Sequence, residues 1–270
     1  MTGEHAQLAA ALDAARITGN VATPRENNLL HIRRFLDQEE GFHFGVELTR
    51  HWDAESVFAL MVDKAGIDPD PDHTQGQDTI SAGACIAAAE RYAEVLGEAV
   101  AAGEPLLFAS GHPAGMLPVY ASLAQAAAQA GARVLTLTGG IPVDDRQPAG
   151  GGDLRHLGGV WYWQRHGSAL HTHAPEPMRA LLAALARDGT EENTEPGLVI
   201  ADHGWAGAAG SAGLRTIGVA DCNDPALFVA EAQGQVEVCV PLDDNVPSQL
   251  YAPLAEFIAE RAGLPRPPVW

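Results

Sequence analysis

The sequence predicts an α/β fold: a doubly wound, mostly parallel sheet with helices on both faces and a helical region at its N-terminal side. Two observations carry that expectation. From about residue 105 onward, short apolar runs alternate with amphipathic stretches. Several of those runs, above all in LVIADHGWAGAAGSAGLRTIGVADCNDPALF at 198–228, also break at their C-terminal ends into polar loops bounded by Gly or Pro. In an open parallel sheet the crevice beyond the carboxyl ends of the strands receives the ligand, because loops there vary freely on a rigid scaffold. Asp202, His203, Asp221, Asn223 and Asp224 would project into it.

The elements follow in order. Residues 5–18 place Leu8, Leu12 and Ala15 at helical spacing, and NVATPREN follows as a loop. Residues 28–37 and 53–65 read as helices, the second capped by Asp53 with Val57, Leu60 and Met61 inward. The Asp-Pro steps of 68–79 force a loop ending at a new helix N-terminus, and 86–102 is a long Ala-rich helix. A βαβ unit is then expected from LLFAS (106–110), the loop GHPAG, a helix at 117–130 and RVLTLT (133–138). Residues 139–156 are rich in Gly, Pro and Asp and read as a mobile surface loop, followed by a hairpin turning at His166–Gly167. The remainder reads as helix 177–188, strand 198–201, helix 206–212, strand 215–220, helix 225–232, strand 236–240 and helix 251–262. The expected organisation is an N-terminal helical region (1–104) packed on an α/β catalytic core (105–270), forming one compact unit.

Composition bounds the partners. With Asp+Glu 35 against Lys+Arg 16 the net charge is -19, which disfavours nucleic acid and anionic membrane and makes any phosphate site depend on a cation, backbone amides or local arginines. Cys85, Cys222 and Cys239 form neither a zinc motif nor a disulfide framework. With no signal-peptide pattern or apolar run of membrane length, a cytoplasmic protein is expected.

Five loops are candidates for chemistry. GHPAG (111–115) would offer helix N-terminal amides and close approach at Gly111 and Gly115, with His112 beside a bound anion; a simple tight turn is the alternative. HTH places His171 and His173 on one face of an extended segment, half of a metal site or a pair of solvated imidazoles. In ADHGWAG, Asp202 would ligate a cation or cap a helix, His203 would act as general acid or ligand, and Trp205 would wall a substrate ring. ADCNDPALF carries more oxygen-bearing side chains than capping requires, so Asp221 or Asn223 should face the crevice. VPLDDNVPS brings Asp243, Asp244 and Asn245 to the end of the last strand, as a turn or as part of the site. Near the N-terminus, Arg25 in TPRENN would clamp phosphate beside Asn27, or lie solvated at a helix start.

The segments VATPRENNL, GQDTI, SGHPAG, LHTHAPEPMRA, VIADHGWAGAA, ADCNDPALFVAEAQG and VPLDDNV span nearly the whole chain, and on them it resembles an actinobacterial family of about 270 residues labelled phosphatase. A looser architectural likeness is to metal-dependent damage-control phosphatases, in which strand-end Asp and Asn hold a cation. The resemblance implies a Rossmann-like hydrolase acting on a small phosphorylated substrate, a phosphate monoester of a sugar, nucleoside or similar metabolite, and a homodimer is compatible with it. A divalent ion (Mg, Mn, Zn, Fe, Co or Ni) would be held by Asp202, Asp221 and His171 or His173. His112, the loop amides and Arg25 would bind phosphate, and His203 would protonate the leaving group. Two alternatives stand beside this: a metal-dependent lyase or isomerase acting on a sugar or carboxylic acid, and a non-catalytic nucleotide-binding module.

Overall fold

Runs such as Leu198–Asp202 and Thr216–Ala220 are apolar on both faces, as strands buried between two layers must be. A computed structural model describes residues 3–143, 151–188 and 195–268. In chain order the elements are α1 (Gly3–Ala14), β1 (Gly19–Pro24), α2 (Arg25–Leu36), α3 (Ala54–Lys64), β2 (Gln77–Ile80), α4 (Ala82–Ala101), β3 (Leu106–Ser110) and α5 (Leu117–Gln129). Then come β4 (Ile141–Val143), β5 (Gly152–Leu157), β6 (Val160–Arg165), β7 (Ser168–Ala169), α6 (Glu176–Asp188), β8 (Leu198–Asp202) and α7 (His203–Ser211). The chain continues through β9 (Thr216–Ala220), α8 (Pro225–Ala232), β10 (Val238–Pro241), a 3-10 turn at Ser248–Tyr251 and α9 (Ala252–Arg261).

The main sheet has eight strands in the order β10-β9-β8-β3-β6-β5-β4, with β7 on β6. β10, β9, β8, β3 and β6 run parallel, and β5, β4 and β7 add antiparallel pairing at one side. Alternate side chains feed two cores. Leu106, Phe108, Ile200 and Ile217 pack with α1, α4, α5 and α9, while Leu107, Ala109, Val199 and Ala201 pack with α3, α6, α7 and α8. The fold is therefore the α/β arrangement read from the sequence.

The connectivity places the site. After β3 the chain enters α5 on one face and returns toward β6; after β8 it enters α7 on the other face and proceeds to β9. β3 and β8 are neighbours whose connections leave in opposite directions, so a crevice opens between their carboxyl ends.

Three regions differ from expectation. NVATPREN and the end of 68–79 are not loops but contain β1 and β2, an antiparallel pair in which Gly19 faces Ile80 and Asn20 faces Thr79. RVLTLT does not form a full strand: Val134 bridges Leu106, and the rest of that β3 edge is taken by β6, with Val160 opposite Phe108. Within 139–156 the flanks are β4 and β5, paired through Ile141 and Leu154, while 144–150 lie outside the described residues. The hairpin turns as read, with His166 and Gly167 at φ 50° and 82°, the left-handed pair of a type I′ turn. Asp53 caps α3 through a reciprocal capping box with Ser56. Among the described residues no helix is long and apolar enough to cross a membrane.

Candidate active site

Asp202, the last residue of β8, is fully buried, and its carboxylate spans the crevice to β3. Its Oδ2 accepts the Ser110 hydroxyl at 2.7 Å, and its Oδ1 accepts the amides of Gly111 at 2.7 Å and His112 at 3.1 Å. The same Oδ1 lies 2.9 Å from His203 Nδ1. Asp202 makes no side-chain cap for α7, and its oxygens fix the GHPAG loop and His203. The amides of residues 111 and 112, expected to hold phosphate, are likewise spent on Asp202.

His203 adopts a left-handed backbone, φ 47°, which is uncommon for a residue with a Cβ and is the kind of strain that concentrates at functional sites. Its Nδ1 is committed to Asp202, and its Nε2 stands 3.4 Å from Asp244 Oδ2 and 3.7 Å from Asp224 Oδ2. Burial would lower its pKa, but the Asp202 hydrogen bond and the charges of Asp244, Asp202 and Asp224 outweigh it and push the imidazole up to about 10.

Three more imidazoles surround it. The Thr172 amide donates to the Gly111 carbonyl at 2.8 Å, which fastens the HTH segment beside the β3 loop. His171 then stacks on His112 at 4.2 Å between ring centroids, and His173 lies against His203 at 4.6 Å. His173 Nδ1 is 2.9 Å from the Gly41 carbonyl, and its Nε2 is 3.2 Å from His171 Nε2. Burial, with the repulsion of neighbouring imidazoles, lowers His171 to about 4 and His173 to about 3. Both are thus neutral and able to offer lone pairs at physiological pH.

The loops after β9 and β10 contribute carboxylates. Asp221, Asp224, Asp243 and Asp244 are all buried. Burial and the neighbouring carboxylates Asp244, Asp243 and Asp224 push Asp221 well above its ordinary range. Burial likewise raises Asp224 to about 7, against the pull of His203. Asp244 moves the other way: burial is overcome by the adjacent His112 imidazole and by the charge of His203. Asp224 stands at the N-cap of α8 without a side-chain cap bond, so its carboxylate is free to face His203. Three sets of side chains bring potential ligand atoms within 4.8 Å of one another: His112, His171 and His203; His203, Asp224 and Asp244; and Asp221, Asp243 and Asp244. Buried His112 Nδ1, though 3.2 Å from Asp244 Oδ1, and buried Asp244 Oδ2 both lack a well-aligned hydrogen-bond partner. Such orphaned atoms are costly unless something else satisfies them.

The other expected residues distribute unevenly. Arg25 is fully buried: its guanidinium pairs with Asp78 at 2.9 Å and donates to the carbonyls of His73 and Asp70, so it ties the chain together in the interior and is not open to a phosphate from solvent. Asn27, two residues further on, is half-buried on α2. Trp205 is fully buried in the hydrophobic core and cannot wall a substrate. Asn223 is half-buried, and its main-chain carbonyl lies 2.9 Å from His31 Nδ1. Gly115 packs against the Asp244 carbonyl, where a Cβ would clash, so it serves the contact between two site loops rather than a ligand. Asp243 and Asp244 were legible only as a strand-end pair that also reads as a turn. His43 had no signal, yet it lines the cleft and accepts the Gly45 amide at Nδ1.

That cleft, of about 630 Å³, is bounded by Gln38, Glu40, His43, Trp163, His171 and His173 among others. Residues 3–266 match the family described as Phosphatase. A Streptomyces coelicolor protein named phosphatase is 43% identical over 265 residues, covering 97% of this chain and 98% of its own. The chain belongs to the phosphatase family. This phosphatase is therefore a hydrolase of phosphate esters, and its buried His and Asp groups could hold a metal ion.

Proposed function

We propose that this phosphatase is metal-dependent and hydrolyses the phosphate monoester of a small metabolite. The carrying observation is the pairing of a buried His/Asp cluster, with its orphaned His112 and Asp244 atoms, and a cleft that no Lys or Arg lines among the described residues. A phosphate ester needs positive charge, and a cation in that cluster would supply it beside the cleft. His112, His171 and His203 would hold the ion, with Asp224 and Asp244 reaching it from the carboxylate side. When bound, such an ion polarises a phosphoryl oxygen and lowers the pKa of an attacking water.

The chain's own residues orient the rest. With Nδ1 fixed by Asp202, His203 presents Nε2 to the carboxylates, the carboxylate–histidine arrangement that sets a ligand's tautomer. His203 is accordingly assigned to the ion rather than to protonating the leaving group. Gly41 holds His173 in the same way, with Nε2 toward His171. The cleft volume suits a sugar or nucleoside phosphate.

The test is phosphate release from a panel of small phosphate monoesters by metal-stripped protein, with and without Mg²⁺, Mn²⁺, Zn²⁺, Co²⁺ or Ni²⁺. Release restored by metal on one substrate group is expected. Full release by stripped protein in the presence of chelator would reject metal dependence.

A further inference from the structure

The third set of side chains lies beyond the one assigned above. Asp221, Asp243 and Asp244 are 5%, 1% and 5% exposed, with ligand oxygens within 4.8 Å of one another. Asp244 faces the imidazoles of His112 and His203 at 3.2 and 3.4 Å, while Asp221 and Asp243 are oriented by neutral donors. The Thr23 hydroxyl and the Cys222 amide donate to Asp221, each at 2.6 Å. The amides of Ala22 and Asn245 donate to Asp243 at 3.2 and 3.0 Å. The Asp243 backbone is itself pinned, its amide donating to the Ile17 carbonyl and its carbonyl accepting the Tyr251 hydroxyl at 2.6 Å. Among the described residues no lysine or arginine pairs with any of the three. Arg16, whose charge acts on Asp243, aims its donors at the carbonyls of Asn20 and Val21.

A second, independent observation points to a ligand: Asp244 Oδ2 is buried with no hydrogen-bond partner, and Asp244 belongs both to this set and to the one built on His203. A carboxylate shared between two ligand sets, with an oxygen left unsatisfied, is the arrangement of a residue that bridges two ions.

We propose that the centre takes two divalent cations: one at the imidazoles, as assigned above, and a second held by Asp221 and Asp243, with Asp244 shared between them. The inference rests on the metal-dependent reading. The two positions differ in chemistry. Imidazole suits a transition ion, and an all-carboxylate set suits a hard cation such as Mg²⁺ or Mn²⁺, so Mn²⁺ should fill both. The strand pair β1–β2 gains a role, since Ala22 and Thr23 on β1 orient the two carboxylates of the second position.

The experiment is equilibrium dialysis of the metal-stripped full chain against Mn²⁺, with elemental analysis of bound metal and an electron paramagnetic resonance spectrum. Two equivalents per chain with a spin-coupled signal are expected. Asp243→Asn, with Asp221→Asn as a second variant and circular dichroism confirming that each folds, should lower the content to one equivalent and remove the coupling. One equivalent in the wild type that is lost in His203→Ala would overturn the second position and leave the metal-dependent reading standing. Two equivalents persisting in both folded Asp variants would also overturn it. No bound metal would overturn both readings.

Discussion

Asp202 shows how one carboxylate organises several others. It ties the β3 loop, the start of α7 and the His203 imidazole together, so its influence on an ion is exerted through His203. Asp202→Asn should therefore weaken metal binding by roughly 10–100-fold, in the range usual for partners that orient a ligand. A competition titration against a chelating dye checks this, and unchanged affinity would contradict it. The raised pKa of His203 has a second consequence. Its proton is held to about 10 in the folded chain against 6.5 as its ordinary value, so the folded state binds more protons between those limits. Its stabilising contribution in metal-free protein is full below about pH 6.5 and is lost as pH rises toward 10. The melting temperature of chelated protein should fall between pH 7 and 9.5, and saturating metal should flatten that fall. At this scale the sequence showed His171, His203 and Asp221 at strand or segment ends, because residue type and a Gly or Pro boundary are local signals. It misplaced Arg25 because its partner, Asp78, is 53 residues away, and a lone Arg in an acidic chain looks like an anion clamp until that partner is known.

At the scale of elements, the strands β3, β8, β9 and β10 were readable because each is a continuous apolar run ending in polar residues. β1 and β2 were not, since GNVATP and QDTI are short, partly exposed and paired only across a long stretch of chain. RVLTLT carries strand-like residues, but β6 occupies the edge it would have needed. The β1–β2 unit is anchored by the buried Arg25–Asp78 pair, with Asn28 donating to the same carboxylate at 2.8 Å. Arg25→Ala strands Asp78 in the interior and should cost about 3–5 kcal/mol. Chemical denaturation measures it; a loss below about 1 kcal/mol would show that the pair is dispensable and return Arg25 to candidacy for another role. Gly115→Ala should disturb the contact with the Asp244 carbonyl, and lower metal affinity more than global stability, as paired metal and denaturant titrations would reveal.

For the whole molecule, the net charge of -19 and the convergence of buried carboxylates at one end of the sheet set a common requirement for positive charge. A cation that binds only the folded chain stabilises it by mass action, about 2.7 kcal/mol at a hundredfold excess over Kd. Chelation should accordingly lower the melting temperature, and re-addition of metal should restore it. The three thiols give an independent view of the same transition. All are buried; burial pushes Cys85 up to about 12 and raises Cys222 and Cys239 well above their ordinary value. They should stay inert to a thiol reagent until the chain unfolds, so fast labelling of native protein would contradict the packed core. The alternation of strands and helices was legible, whereas the switch between β3 and β8 and the meeting of four imidazoles and four strand-end carboxylates depend on strand order, which no local pattern encodes.

The most direct test of the central claim is the turnover of one metal-responsive monoester by wild type, His203→Ala and Asp244→Asn, each stripped of metal and then reloaded. Wild type should recover full phosphate release on reloading, while both variants, folded by circular dichroism, should remain at least a hundredfold below it, on the order of 2.7 kcal/mol in the barrier. Wild-type rates in either variant, or in stripped wild type, would show that hydrolysis does not run through this cluster.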